Sequence, residues 1–120
     1  MNIVLCDAIR ERRLVRFVYA GYERIVEPYT YGTTREGREL LMGWLARGWS
    51  SSETAPGWRT FHVDEMHDVA ATAESFAGWR AGYRGGGRRF ANVYCQAAMP
   101  AAETAAPSET IRRADDRPAR

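Results

Sequence analysis

Residues 38–63 read RELLMGWLARGWSSSETAPGWRTFHV and contain the pattern that decides the fold. Two apolar runs, each long enough for a β-strand, flank a polar loop that contains Gly, Ser and Pro. This arrangement predicts a β-hairpin with a long connection. In the second run, Arg59, Phe61 and Val63 alternate along the strand and share one face, so a cation lies at the edge of an apolar face. Arg59 is therefore the first candidate for a role beyond packing.

The residues before this hairpin predict one helix and two strands. Asn2 is a suitable N-cap for a short amphipathic helix over residues 3–13. Residues 14–19 alternate between apolar and polar side chains, which is typical of a strand, and a tight turn leads into a second strand over 23–31. Pro28 has no amide hydrogen, so it must lie at a sheet edge, at a bulge or at the end of that strand.

The hairpin itself supplies the third and fourth strands, over residues 40–45 and 58–63. The third strand is apolar on both faces, which favours a central position in the sheet. Gly43 in its middle indicates a kink or a close approach of another backbone. Residues 68–71 predict a short fifth strand, and residues 72–76 predict a capped helical turn.

The composition changes after these elements. Residues 78–96 begin as a basic loop that alternates Gly with Arg and contains no acidic residue, and a candidate edge strand follows over residues 90–96. The last part of the chain is poor in bulky apolar residues, so it cannot bury enough surface to offset the entropy of ordering. We expect three parts: a barrel over 1–77, the basic loop with its edge strand over 78–96, and a disordered tail over 97–120.

These elements predict a mostly β fold with one N-terminal helix. About five short strands joined by tight turns, with a proline or a glycine inside two of them, are typical of a small, strongly curved barrel of the Sm-like or SH3-like type. The length of 120 residues suits one such domain with a modest core and does not suit two.

The charge of the chain says little about its partners. A net charge of +2 does not by itself indicate a nucleic-acid-binding protein. All 17 basic residues are Arg, which suits bidentate recognition of phosphate or carboxylate groups better than Lys does. Codon bias is the other explanation, since Ala and Gly are also abundant.

Cys6 and Cys95 lie near opposite ends of the sequence and form no closely spaced pair. We expect two reduced thiols, with a disulfide as the less favoured alternative. No apolar run approaches the roughly 20 residues that cross a bilayer, and the first residues lack the basic start of a signal peptide. These features favour a cytoplasmic protein with no membrane partner.

The sequence offers no clear catalytic or metal-binding constellation. Five residues have the composition of a metal cluster: His62, Asp64, Glu65, His67 and Asp68. The two histidines are five residues apart across a strand end and would not converge. No nucleophile with a paired base is evident, and no phosphate-cradling loop precedes a helix. We therefore expect no cofactor, no bound metal and no enzymatic activity.

Four short motifs resemble those of the WYL domain over about residues 3–77. They are, in chain order, AIRERR (8–13), RIVEPY (24–29), GRELLMG (37–43) and RTFHVDEM (59–66). The Trp-Tyr-Leu signature falls on residues 39–41, of which only Leu41 matches. Residues 76–83, FAGWRAGY, are similar to a Phe-Ala-Gly-x-Arg-x-x-Tyr segment that follows the barrel in compact bacterial WYL-like proteins without a helix-turn-helix.

This resemblance implies a regulatory, non-enzymatic module that binds an effector on a basic barrel surface. The effector would be a nucleotide-like or other anionic small molecule, or a single-stranded nucleic acid. By position, the resemblance assigns ligand binding first to Arg59, then to Arg24 and Tyr29. Arg80 and Tyr83 become ligand-binding candidates through the compact subgroup alone.

Two alternatives remain open. Arg59 could grip a phosphate, or it could form an ion pair with Glu27 or Asp64 that holds strands together. The chain could instead be a protein-interaction or assembly module that uses exposed strand edges, which Pro28 and the last strand mark. Its partner would then be another protein or a second copy of the chain.

Overall fold

The polypeptide forms one α-helix and six β-strands in the part that the structure describes. This computed structural model describes residues 1–48, 56–83, 85 and 87–98. The elements are α1 (Ile3–Glu11), β1 (Arg13–Tyr19), β2 (Tyr22–Thr33), β3 (Glu39–Gly48), β4 (Gly57–His62), β5 (His67–Ser75) and β6 (Asn92–Gln96). Most of the predicted hairpin connection (49–55) and of the predicted tail (99–120) lies outside the described residues.

The strands form one antiparallel sheet in the order β4-β3-β2-β1-β5, and β6 joins it by pairing with β2. The first part of β2 pairs with β1 up to Val26, and its last part pairs with β6 from Thr30 onward. β3 runs along the opposite side of β2. The prediction of a mostly β fold with one N-terminal helix is confirmed.

The sheet is open and does not close into a barrel. In the described residues, no backbone pairing joins β4 and β5, which are the two ends of the strand order. Side chains bridge part of this opening, because the ring of Phe61 on β4 lies 5.0 Å from those of both Phe17 and Tyr19 on β1. The main-chain N–H of His62 also donates to the Tyr19 hydroxyl (3.1 Å). The finer prediction of an Sm-like or SH3-like barrel is therefore not confirmed. Aromatic side chains of β1 and β4 pack together here, whereas a closed barrel would have backbone hydrogen bonds between its first and last strands.

Pro28 lies at an irregularity in the middle of β2. It is paired with Gly43 on β3, whereas Thr30 is paired with Met42, so the register between the two strands shifts across Tyr29. Of the three positions expected for this proline, the structure shows the bulge. On the other side of β2 no pairing of the described strands reaches Pro28, because β1 pairs with β2 only up to Val26 and β6 only from Thr30.

Gly43 allows β3 to approach β2 closely. A Cβ atom at this position would lie 2.5 Å from the carbonyl oxygen of Glu27 and 2.5 Å from Cγ1 of Val26. Both distances are shorter than van der Waals contact, so a larger residue would require the backbone to shift. Of the two alternatives for Gly43, a kink or a close approach, the structure shows the close approach. The predicted central position of β3 is confirmed, since β3 lies between β4 and β2.

Helix α1 buries one apolar face against the sheet. Asn2 caps its start, because the side-chain oxygen accepts the N–H of Val4 (2.9 Å). The helix ends earlier than predicted, at Glu11, because Arg12 adopts a left-handed conformation (φ 58°) and Arg13 already belongs to β1. The buried side chains of α1 are Leu5, Cys6, Ala8 and Ile9.

Strand β5 is longer than predicted. It continues to Ser75, so the capped helical turn predicted over 72–76 is wrong. The Thr72 hydroxyl does accept the N–H of Glu74 (3.2 Å), as a helix cap would, but it also donates to the carbonyl oxygen of Leu14 on β1 (2.9 Å). Pairing with β1 therefore overrides the local capping preference.

Cys6 and Cys95 form a disulfide that joins α1 to β6. The expectation of two reduced thiols is therefore wrong. Sequence spacing could not reveal this pair, because the two cysteines are 89 residues apart. They meet because β6 pairs with β2, and α1 packs against both strands.

Two negative findings hold for the described residues. None of their helices is long and apolar enough to span a bilayer. No group of three or more His, Cys, Asp or Glu side chains among them is placed to hold a metal ion. His62 and His67, which were considered for a metal, end β4 and begin β5 respectively.

We predict that Gly43→Ala destabilises the protein more than Gly37→Ala does. An alanine Cβ at position 43 would overlap β2, at a cost of about 2 to 3 kcal/mol in the free energy of unfolding. Gly37 is a matched control, because its φ of +83° strains an alanine while no atom lies within 4 Å of the added Cβ, and the cost there should be about 1 kcal/mol. Urea denaturation measures both variants, and an equal loss would contradict the close approach at Gly43.

Candidate ligand-binding cleft

A cleft of about 800 Å³ opens between β4 and the segment that precedes β6. We call it the basic cleft. One side consists of residues on β3 and β4, namely Met42, Trp58, Arg59 and Thr60. The other side, which we call the C-terminal wall, consists of Gly82, Tyr83, Gly85, Gly87, Arg88 and Arg89.

Arg59 lies on β4 at the edge of the basic cleft. Its Nη1 donates to the carbonyl oxygen of Trp58 (2.9 Å). The same nitrogen lies against Gly57, where an added Cβ would come within 2.6 Å of it. The missing side chain at position 57 therefore gives the guanidinium room to lie along the strand.

Arg88 and Arg89 approach β4 from the C-terminal wall. Both belong to the short 3-10 helix Gly87–Arg89, and both are exposed. Nη1 of Arg89 donates to the hydroxyl oxygen of Thr60 (3.0 Å), so a hydrogen bond joins the two sides of the cleft. Together with Arg59, three arginines line the basic cleft, and none of its described lining residues is acidic.

The floor of the basic cleft is aromatic. The rings of Trp58 and Tyr83 are stacked, with centroids 5.8 Å apart and an interplanar angle of 24°. The Tyr83 hydroxyl donates to the carbonyl oxygen of Tyr29 (3.2 Å) and shares a hydrogen bond with the hydroxyl of Thr30 (2.5 Å). Burial raises the pKa of Tyr83, so this hydroxyl remains a donor at neutral pH. These contacts fix Tyr83 beneath the cleft.

An ion pair between the buried Glu27 and the partly exposed Arg80 lies behind this floor. Arg80 donates to both carboxylate oxygens of Glu27, from Nε (2.9 Å) and from Nη2 (2.7 Å), and its guanidinium lies 4.3 Å from the centre of the Trp44 ring. The Glu27 side chain is only 8% exposed, and the Tyr29 hydroxyl also donates to it (3.1 Å). Burial and the neighbouring Glu27 charge raise the pKa of Tyr29, which keeps this donor protonated. The pair ties the segment after β5 to the middle of β2.

Glu27 and Asp64, the two carboxylates that the sequence analysis considered as partners of Arg59, each bind another arginine. Glu27 binds Arg80, and Asp64 binds Arg38 (2.8 Å). The Arg38 guanidinium lowers the pKa of Asp64, which is on the surface.

The sequence model of the WYL domain matches residues 3–71, which is more than half of the chain. The chain belongs to the WYL domain family. No curated protein and no solved structure matches it. WYL domains are generally regulatory, ligand-sensing domains. The matched range ends before the C-terminal wall begins, so the two sides of the basic cleft come from inside and outside the matched part.

The structure brings four of the five predicted site residues of this WYL domain into one region. Arg59 and Tyr83 line the basic cleft. Tyr29 and Arg80 lie behind it, since the Tyr29 ring is 4.9 Å from that of Tyr83 and Arg80 is bound to Glu27. Their assignment to ligand binding stays a prediction, and the buried contacts give Tyr29 and Arg80 a structural role as well.

Arg24, the fifth predicted site residue, lies apart from the other four. Its side chain is buried, and Nη2 donates to the carbonyl oxygen of Tyr19 (3.2 Å). The guanidinium lies 5.8 Å from the centre of the Tyr19 ring and 6.0 Å from that of Phe61. Its Nε has no hydrogen-bond partner among the described residues. Arg24 is not among the residues that line the basic cleft.

Sequence reasoning did not select Trp58, Thr60, Arg88 or Arg89 as site residues. Trp58 and Thr60 flank Arg59 on β4, which was a usable signal. Arg88 and Arg89 belong to the predicted basic loop, but no local pattern places them beside β4. Their position depends on the pairing of β6 with β2, which joins distant parts of the sequence.

We predict that Arg80→Ala lowers the free energy of unfolding by about 2 to 3 kcal/mol, because the buried Glu27 carboxylate loses its cation. Arg47→Ala is the matched control, since Arg47 makes the same two-bond pair with Glu74 on the surface. Arg47→Ala should lower the free energy of unfolding much less, because exposed ion pairs contribute little to stability. Urea denaturation measures both variants, and similar losses would argue against a structural role for the Arg80–Glu27 pair.

We also predict that stability falls above about pH 10. Burial is the main cause that raises the pKa values of Tyr19, Tyr29, Tyr31 and Tyr83. Above the ordinary tyrosine pKa the unfolded chain releases phenolic protons that the folded chain retains, so stability that is present at lower pH is lost as the pH rises. Urea denaturation should show a fall in the free energy of unfolding of about 1.4 kcal/mol per pH unit for each such tyrosine, and a shallower fall in Tyr29→Phe. A constant free energy of unfolding through about pH 11 would refute this prediction.

Proposed function

We propose that this WYL domain is a regulatory, non-enzymatic sensor that binds a phosphate-bearing, nucleotide-like ligand or a short single-stranded nucleic acid in the basic cleft. The observation that carries the proposal is the meeting of three arginines with an aromatic floor in one cleft. The chain belongs to a family of regulatory, ligand-sensing domains, which supports a role in binding a ligand over a role in catalysing a reaction.

The arginines of the cleft suit a phosphate. A guanidinium group offers a planar fork of donors that matches two phosphate oxygens, and it stays charged at any pH at which proteins fold. Arg59 approaches from β4, and Arg88 and Arg89 approach from the C-terminal wall. A bound anion would therefore contact both sides of the cleft at once and hold them together.

The floor suits a planar group. Trp58 and Tyr83 present stacked rings, and Met42 adds an adaptable apolar side chain. Bases stack on aromatic side chains with little dependence on sequence. The volume of about 800 Å³ lies within the range of ordinary small-molecule sites. A nucleotide, which combines a flat base with a phosphate, fits both features.

A second hollow of about 380 Å³ adjoins the basic cleft and supports the nucleic-acid form of the proposal. The two hollows share Thr60, Arg88 and Arg89, and the second adds Arg35 and His62. A ligand longer than one nucleotide would meet further basic positions there. The second hollow also contains one acidic residue, Glu36, so its field is less uniformly positive.

A protein-interaction role is the second candidate, and the exposed strand β6 favours it. In the described residues, β6 pairs with β2 alone, and its Val93 and Tyr94 side chains are exposed. Such an edge can accept a strand from another chain. Light scattering distinguishes this candidate, since a strict monomer that captures no protein partner would speak against it.

We predict that a fluorescein-labelled single strand of about eight nucleotides binds the protein at low salt and dissociates as salt is raised. Arg88→Ala/Arg89→Ala should weaken binding by about tenfold or more, because two phosphate contacts are lost. Fluorescence anisotropy measures the affinity, and unlabelled nucleoside triphosphate added as a competitor separates the mononucleotide form from the strand form.

The matched control is Arg10→Ala/Arg16→Ala, which removes the same charge from residues that do not line the basic cleft. Its affinity should stay within about twofold of the unaltered protein if the cleft is the site. Equal losses in the two double variants would indicate an unspecific charge effect. No binding of either probe at low salt would overturn the proposed function.

A further inference from the structure

The C-terminal wall of the basic cleft is attached to the body of the domain on both of its sides along the chain. On the side that precedes it, Arg80 is bound to the buried Glu27. On the side that follows it, β6 pairs with β2, and the disulfide between Cys6 and Cys95 fixes β6 to α1. The position of Arg88 and Arg89 opposite β4 depends on both attachments.

Apart from the disulfide, β6 is attached by a short pairing with β2, by the Tyr94 ring 5.1 Å from that of Tyr31, and by the buried Ala97 that follows the strand. β6 pairs with the last four residues of β2, at its end and not along its length. Two further hydrogen bonds flank it, from the N–H of Ala91 to Thr33 (2.8 Å) and from the N–H of Ala97 to Tyr29 (2.7 Å). Four of the five residues of β6 are exposed, and Cys95 is the only one that is not. The residue through which β6 is buried is therefore the one that carries the disulfide.

We propose that the Cys6–Cys95 disulfide is a redox gate for the basic cleft. In the oxidised protein, β6 is covalently held against α1, and the C-terminal wall faces β4. In the reduced protein, β6 keeps its short pairing with β2, the two flanking hydrogen bonds and the Tyr31–Tyr94 ring contact, but it loses its covalent link to α1. The strand and the wall before it therefore detach more often. The part of this inference that concerns ligand affinity rests on the proposed function, whereas the part that concerns the wall does not.

The gate opens by thiol–disulfide exchange with a dithiol reductant. Cys6 is only 4% exposed and Cys95 is half-buried, so a thiolate of the reductant attacks Sγ of Cys95. The bond between the two cysteines breaks, and Cys6 leaves as a thiolate that takes up a proton. The second thiol of the reductant then attacks the mixed disulfide and releases Cys95 as a thiol. The protein gains two electrons and two protons, and the dithiol becomes a cyclic disulfide.

Ligand binding and oxidation must then favour each other. An anion that contacts both Arg59 and Arg88 holds the wall in the position that the disulfide also requires. Because such coupling is reciprocal, the oxidised protein binds the anion more tightly, and the bound protein resists reduction more strongly. The cleft would thus bind an anionic ligand tightly only under oxidising conditions, in which the disulfide holds the C-terminal wall opposite β4.

Hydrogen exchange of the unaltered protein, with and without dithiothreitol, tests the gate without reference to any ligand. Reduction should speed exchange of the Ala91 and Ala97 amides by about tenfold or more, because their hydrogen bonds flank a strand that has lost its covalent support. Amides of β1, which pairs with β2 and β5, serve as the internal reference and should not change. A thiol titration confirms that reduction is complete.

The labelled single strand then measures the effect on binding. Reduction should weaken its affinity by about tenfold, and Cys6→Ser/Cys95→Ser should bind weakly with or without dithiothreitol. Faster exchange with no binding in either redox state would uphold the gate on the wall and overturn the proposed function. Three results would each overturn the gate: unchanged exchange after complete reduction, measurable binding of equal affinity in both redox states, or two free thiols in protein prepared under oxidising conditions.

Discussion

Pro28 imposes the constraint from which the rest of the structure follows. A proline cannot donate a ladder hydrogen bond, so a regular strand cannot continue through it unchanged. β2 meets this constraint with a register shift against β3, and it also changes its second neighbour there, from β1 before the shift to β6 after it. Gly43, which faces Pro28 across the two strands, leaves room for the close approach. One twelve-residue strand can therefore join two different parts of the chain to the same sheet.

Glu27 shows how this junction is stabilised. Its carboxylate is buried beside the shift in β2, and a buried carboxylate is costly unless it is paired and hydrogen-bonded. Arg80 and the Tyr29 hydroxyl supply these partners, and Trp44 lies beneath the guanidinium. Because no apolar side chain could replace Arg80 in this role, the pair specifies where the segment after β5 docks. The same segment then continues into the C-terminal wall, so a structural ion pair determines where the arginines of the cleft stand.

Local patterns in the sequence predicted those features that depend on neighbouring residues. The Asn2 cap and the alternation in β1 follow from side-chain chemistry and backbone geometry within a few residues. Pro28 and Gly43 limited their strands to a few alternatives, among them the bulge and the close approach that the structure shows. The phase of Arg59 with Phe61 likewise marked one side of the cleft. These constraints do not depend on contacts with distant parts of the chain, so they can be read from the sequence alone.

Features that depend on distant pairing could not be predicted in this way. The open sheet, the disulfide and the place of Arg88 and Arg89 all follow from which strands meet, and β6 pairs with residues of β2 that lie about half the length of the chain away. Thr72 gave a local capping signal that pairing with β1 overrode, and Arg24 had the right chemistry for a ligand but was buried against aromatic rings.

The positions of the family signature contribute to packing in this chain. Leu40 and Leu41 are buried in the core, and Glu39 accepts a hydrogen bond from Tyr31 (2.5 Å), whose hydroxyl also accepts the N–H of Asn2 (2.6 Å). These side chains tie β3 to β2 and to the start of α1, and none of the three lines the basic cleft. The signature positions thus serve packing here. If the basic cleft is the binding site, its preference for one anion over another depends on β4 and on a wall that lies beyond the matched family range. A relative could therefore keep the same core and bind a different ligand by changing only the residues between β5 and β6.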